Sequence, residues 1–359
     1  MKRRVWYWGA ALGLPVLLMG AFRLLQQDRA LMNGWVFGVV APVEQFFSRL
    51  WAIFPCSVAE LLVGSGLLTG LFWLVRALVL LVLRRRVGQF VRRLLALVAV
   101  CLWLLAGLDW LWNATYYADG FALRAGLSGQ PCTVEELGAV TEVFVQRASL
   151  LATRVPRDGQ GRFAVSVEEC LRRGVQAYSG LEKEFSFLQL DSVRAKPLLC
   201  SKIQSALGFT GVYFPFTGEA NVNVAAPACL LPATIAHEMA HQRMVAAEEE
   251  ANFVGIAACL TSRDEVFQYS GYLMGLIHLS NALCRVDPMG WAALRQQFSP
   301  ELAQDWNGNN AYWAARQSAV ENAAEQAYDA FLKGNDQSLG VRSYGACVDL
   351  LVTWLGTRG

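Results

Sequence analysis

The chain runs to 359 residues with a formal net charge of +2, and 55% of its residues are apolar against only 17% charged. That composition, with a positive mean hydropathy, is unusual for a soluble protein, and the length allows two domains. The charge is divided: residues 1–112 hold 12 Lys and Arg against 4 Asp and Glu, and the remainder 19 against 25. A basic front and a mildly acidic rear argue against nucleic acid as a partner.

The apolarity is concentrated in three stretches: "VWYWGAALGLPVLLMGAF" from Val5, "CSVAELLVGSGLLTGLFWLVRALVLLVL" from Cys56 and "LLALVAVCLWLLAGLDWLW" from Leu94. Each is about long enough to cross a hydrocarbon core of roughly 30 Å, so the expectation is a multi-pass protein of the cell membrane with the lipid bilayer as partner. The first follows Lys2, Arg3 and Arg4 as a signal peptide would. No small-residue cleavage site comes after it, and two more spans do, so it reads as a retained anchor. The positive-inside rule places those three cations in the cytoplasm, together with the run Arg84 to Arg93 between the second and third stretches. Three spans that start inside end outside. Residues 1–112 are therefore expected to form a membrane anchor of three transmembrane helices, and residues 113–359 an extracytoplasmic domain. Arg76 in the second stretch reads as a snorkelling cation rather than as half of an intramembrane pair with Glu60.

Beyond the third stretch, "NATYYADGFALRAGLSGQPCT" reads as an extended linker. Thr133 then looks like the N-cap of a helix through about Thr153, with Glu135 and Glu136 in its first turn. Ser166 followed by Glu169 is a capping box opening the next helix. From Gly208 to Ala225 the residues turn β-branched and aromatic, and two short strands around "FTGEA" predict a hairpin. The rest reads as helical: Pro232 to Val245, Glu248 to about Thr261, Asp264 to Arg285, Asn310 to Lys333 and Val341 to Leu355. Seven of the nine cysteines fall in this rear domain, an odd number that leaves at least one thiol free, and no CxxC pair exists to hold zinc. Cys259, in an apolar helical run, reads as a small buried hydrophobe.

Two of the only three histidines lie four residues apart in "HEMAH", an H-E-x-x-H pattern made by His237, Glu238 and His241. Four residues apart on a helix means one face, so both imidazoles can grip one ion, and Glu238 beside the first is placed to act as general base. A catalytic Zn2+ site needs a third protein ligand. "EEEANF" follows a short connection, and Glu248 is the expected third ligand, with Asn252 on the same face to orient a histidine. Glu250 is the reserve, pointing about 200° away from Glu248 on an ideal helix.

H-E-x-x-H followed by E-x-x-A-N on the next helix resembles the gluzincin metallopeptidases, especially membrane-associated ones. The wider layout resembles an uncharacterised bacterial family of three-span membrane zincin-like proteins. Its marks here are three spans, "YFPFTGEANVN", "TIAHEMAHQ", "EEEANF" and "FLKGNDQSLGVRSYGACVDLL". The resemblance implies a mainly α architecture, with an α+β zincin-like domain and a small β-hairpin behind the anchor. It further implies zinc on His237, His241 and Glu248, and Glu238 as base in the hydrolysis of a peptide or protein substrate. The sequence departs from many gluzincins in the shorter gap between His241 and Glu248 and in Asn252, where several have Asp.

Among supporting residues, "GVYFPFTGEANVNV" can supply an edge strand for substrate backbone, and Glu219 and Asn221 in its polar turn are expected to line the cleft. His278 and Tyr344 are candidate partners for the negative charge that develops on the attacked carbonyl, although His278, in an apolar helix, reads more simply as a core histidine. The competing class is a non-catalytic zincin-fold sensor or scaffold, which has no need of the general base Glu238.

Overall fold

The computed structural model describes residues 2–127, 131–335 and 344–356. The chain is mainly helical, 72%, with one small sheet. Three helices are long and apolar enough to cross a membrane: Lys2–Leu25, Val58–Val82 and Val87–Leu111. Their large side chains stay uncovered, with Leu67 70% and Leu68 71% exposed on the second. Such a continuous apolar surface suits lipid, not water. The third helix packs between the first and the second. Its Trp110 stacks edge-on against Phe22 (5.6 Å between centroids) and donates to the Leu18 carbonyl at 3.0 Å. Glu60 and Arg76 do not pair; sixteen residues on one helix separate them by about 24 Å, and Glu60 is engaged elsewhere.

The anchor is stitched to the rear of the chain by a reciprocal clamp. The second membrane helix begins with unpaired backbone N–H groups, and Glu219 accepts from two of them, Val58 (3.3 Å) and Ala59 (2.6 Å). Glu219 is 2% exposed and is also paired with Lys196, which in turn donates to the Trp51 carbonyl at 2.6 Å. In return, Glu60 on that helix accepts from the backbone N–H groups of Leu199 and Cys200, each at 2.6 Å. Glu219 therefore does not line a cleft. Nor does Asn221, wholly buried and donating to the Val212 and Glu219 carbonyls.

The hairpin forms as expected, β2 (Gly211–Phe214) pairing antiparallel with β3 (Glu219–Val222), with a left-handed Gly218 in the turn at φ 64°. A third strand, β1 (Lys196–Pro197), adds in parallel to β3, so the order is β1-β3-β2 and β2 is left as a free edge. Behind the sheet, the helix Leu231–His241 packs on Glu248–Thr261, which packs in turn on Glu265–Val286, with Val134–Ala152 and Tyr344–Gly356 as outer layers. Thr133 and Glu136 close a full capping box, whereas at Ser166 only the serine half forms, because the Glu169 side chain turns to Arg173.

Two further expectations are corrected. The stretch after the third span is no extended linker: it holds a 3-10 turn (Asn113–Tyr117) and a short helix (Phe121–Ala125) whose Phe121 is fully buried. The stretch Asn310 to Lys333 is two helices, Pro300–Ala314 and Ala319–Gly334, since Ser318 caps a new start by accepting from the Glu321 N–H. A helix at Pro288–Arg295, capped by Asp287, was not foreseen. Cys259 is buried as expected, and all nine cysteines are free thiols.

Candidate metal centre

His237 and His241 lie on the last turn and a half of the helix Leu231–His241, with ring centroids 4.9 Å apart and planes perpendicular. The chain then reverses within six residues. Met244 takes a left-handed backbone, φ 59°, and the Val245 N–H returns to the Ala240 carbonyl at 3.2 Å. This turn lets the short gap work. It starts the next helix at Glu248, whose carboxylate lies 3.3 Å from His237 Nε2 and 3.7 Å from His241 Nε2. One ligand atom from each of the three residues falls within 4.8 Å of the others. The two helices come this close because Gly255 faces the His237 backbone, where a Cβ would stand 2.9 Å from His237 Cα.

The donor set fits a metal ion. His241 Nδ1 sits 2.7 Å from the Val245 carbonyl, which fixes the tautomer with the proton on Nδ1 and leaves Nε2 free to ligate. The Asn252 contact with His237 falls short of a full bond, since His237 Nδ1 has no hydrogen-bond partner. Glu238 lines the same cleft, 3% exposed, packed against Gly211 of the edge strand and with its Oε2 unpartnered. A buried carboxylate oxygen without a donor is costly unless something occupies the space before it.

The electrostatics follow from this crowding. Burial pushes the Glu238 carboxyl up to about 8; the His237 charge opposes it and the Glu248 charge adds to it. Burial holds His241 down at about 4, against the pull of Glu248. Glu248 would be raised by burial, but His241, His237 and the Tyr328 hydroxyl together bring it down to about 2. His237 would be lowered by burial, yet Glu248 in hydrogen-bond reach raises it above the ordinary imidazole value.

Glu250 is not brought to this cluster. Its carboxylate turns away and caps the short helix Phe121–Ala125, accepting from Phe121 N–H (2.6 Å) and Ala122 N–H (2.9 Å). His278 is buried on the helix Glu265–Val286 and lies outside the cleft lining; burial lowers its pKa to about 4. Tyr344 opens the last helix, and its side chain lies outside the described residues.

Three contacts had no local signal in the sequence. Tyr328, on the helix Ala319–Gly334, donates its hydroxyl to Glu248 Oε1. Trp112, at the end of the third membrane helix, stands edge-on to the His241 ring with centroids 5.5 Å apart. Tyr213 of the edge strand packs on Trp112 (5.2 Å) and donates to the buried Glu44, which lies between the first two membrane helices in the chain. The cleft over the three ligands measures about 760 Å³ and runs between β2 and the helix Ala319–Gly334, with Leu108 and Trp112 of the third membrane helix in its wall.

The model of a family described as "Protein of unknown function (DUF3810)" matches residues 36–352. No curated protein and no solved structure matches the chain.

Proposed function

The chain belongs to that family of unknown function, and we propose that it is a membrane-anchored zinc metallopeptidase of gluzincin type. Its rear domain, 113–359, would then lie outside the cell membrane. The observation that carries the reading is the pairing of an ordered ligand triad with an orphaned, buried Glu238 oxygen in an open cleft. His237, His241 and Glu248 would hold the ion. A zinc ion in such a site supplies a Lewis acid and acidifies a water to a pKa of about 7.

The chain's own residues supply the rest. Glu238, buried in the cleft wall with Oε2 unpartnered, would take a proton at that oxygen and return it to the leaving amine. Tyr328 and the His241–Val245 bond keep Glu248 and His241 turned toward the ion site. The free edge of β2, beside Gly211 and Glu238, can pair with an extended peptide backbone. Trp112 and Leu108 in the wall favour substrates that lie at the membrane surface. A sensor or scaffold needs neither an open cleft nor an unpaired carboxylate beside the ligands.

The test is metal analysis of the full chain in detergent. One zinc per chain is expected in wild type and in Glu238→Gln, and none in His237→Ala, with peptide hydrolysis lost in both variants. A wild-type protein that binds no metal would sink the reading.

A further inference from the structure

The wall opposite the edge strand is a single stripe of the helix Ala319–Gly334: Glu321, Glu325, Tyr328 and Phe331. Tyr328 pins this stripe to Glu248. The helix rise then sets Glu325 about 4.5 Å and Glu321 about 10 Å along the axis from Tyr328. At the far end Glu321 rests against Gly208, where a Cβ would stand 3.3 Å from its Cγ, and three residues later Gly211 rests against Glu238. Strand and helix thus run side by side from Glu321 to the ligands.

The charge in this passage is one-sided. Among the described residues, no Lys or Arg lines the cleft, while Glu238, Glu248, Glu249, Glu321 and Glu325 all do. Neither Glu321 nor Glu325 has an ion-pair partner among the described residues, and Glu321 Oε2 is buried with no hydrogen-bond partner. Glu238, deeper in, is also buried with an orphaned oxygen. Acceptors left unpaired along a cleft call for donors from whatever enters it. Phe209, Phe331 and Tyr328 add aromatic surface suited to a cation or its aliphatic stem.

We propose that the cleft selects peptide segments bearing Lys or Arg within about three residues of the position held at His237, His241 and Glu248, with Glu321 and Glu325 as the selecting residues. The spacing comes from the helix rise set against about 3.3 Å per extended residue, which places the two carboxylates about one and about three residues from that position. The inference rests on the peptidase reading for its substrate, but its test does not need turnover.

The probes are three fluorescein-labelled nonapeptides of Ala, Leu and Phe, alike except for a central Lys, Gln or Glu. Their Kd values are measured by anisotropy on full-length, zinc-supplemented Glu238→Gln protein in neutral detergent. The Lys peptide should bind about three- to tenfold more tightly than the Gln peptide, and the Glu peptide most weakly. The order should flatten with added salt and in protein also carrying Glu321→Gln and Glu325→Gln, whose thermal unfolding should match the parent because both sites face the cleft. Equal affinities, an unchanged preference in the Gln variant, or no binding at all would overturn the proposal. Hydrolysis by wild type, run in parallel, separates the two ideas. Selective binding without cleavage sinks the peptidase reading alone, and cleavage of all three peptides at equal kcat/KM sinks only this one.

Discussion

The two faces of one hairpin hold buried glutamates in opposite circumstances. On the anchor side, Glu219 is saturated: Lys196, two backbone N–H groups of the second membrane helix and the Thr217 hydroxyl (3.0 Å) all reach it. On the cleft side, Glu238 is as buried, yet Oε2 has nothing. The difference separates a carboxylate that holds two parts of a protein together from one whose second oxygen is committed to no protein group. A saturated group resists change, whereas an orphaned one carries a penalty that a ligand relieves.

The contrast can be broken in order of effect. Glu238→Gln should lower peptide hydrolysis by about 10²–10⁴-fold while leaving the detergent-solubilised melting temperature unchanged or raised; a large fall in stability would put Glu238 with Glu219. Glu219→Ala should cost about 3–5 kcal/mol by stranding Lys196 in the interior, read as a loss of folded yield or of urea resistance, and a neutral result would dissolve the clamp. Gly255→Ala pushes the two ligand helices apart and should cost about 1–3 kcal/mol, with a matching drop in zinc retention under chelator. Tyr328→Phe should weaken metal binding by about tenfold with little change in melting. Metal binding unaffected by Tyr328→Phe would mean that the hydroxyl merely decorates Glu248.

What could be read along the chain was whatever is settled within one or two turns. Thr133, Ser166 and Asp264 cap their helices through residues two or three positions away, and the four-residue spacing of His237 and His241 sets their common face. That Glu248 and Glu250 part ways also follows from helix geometry, though not which of them meets the histidines: one goes to His237 and His241, the other to the Phe121 and Ala122 N–H groups. That second destination accounts for part of the misread linker: the short helix Phe121–Ala125 is capped by an acid more than a hundred residues later. Glu219 was read as a cleft residue for the same reason, because nothing near it announces Lys196 or the start of the second membrane helix. Tyr328 was invisible as a site residue although its stripe with Glu321 and Glu325 is plain, since no local rule says which helix will face a distant pocket.

The edge-on contact between Trp112 and His241 has a practical consequence. A fragment made by cutting after the third membrane helix, the obvious way to obtain a soluble sample, would strip the indole from the imidazole. It would also take Leu108 from the cleft and Glu44 from the Tyr213 hydroxyl. The centre borrows part of its wall from the anchor, so the smallest specimen that contains it whole is the embedded chain.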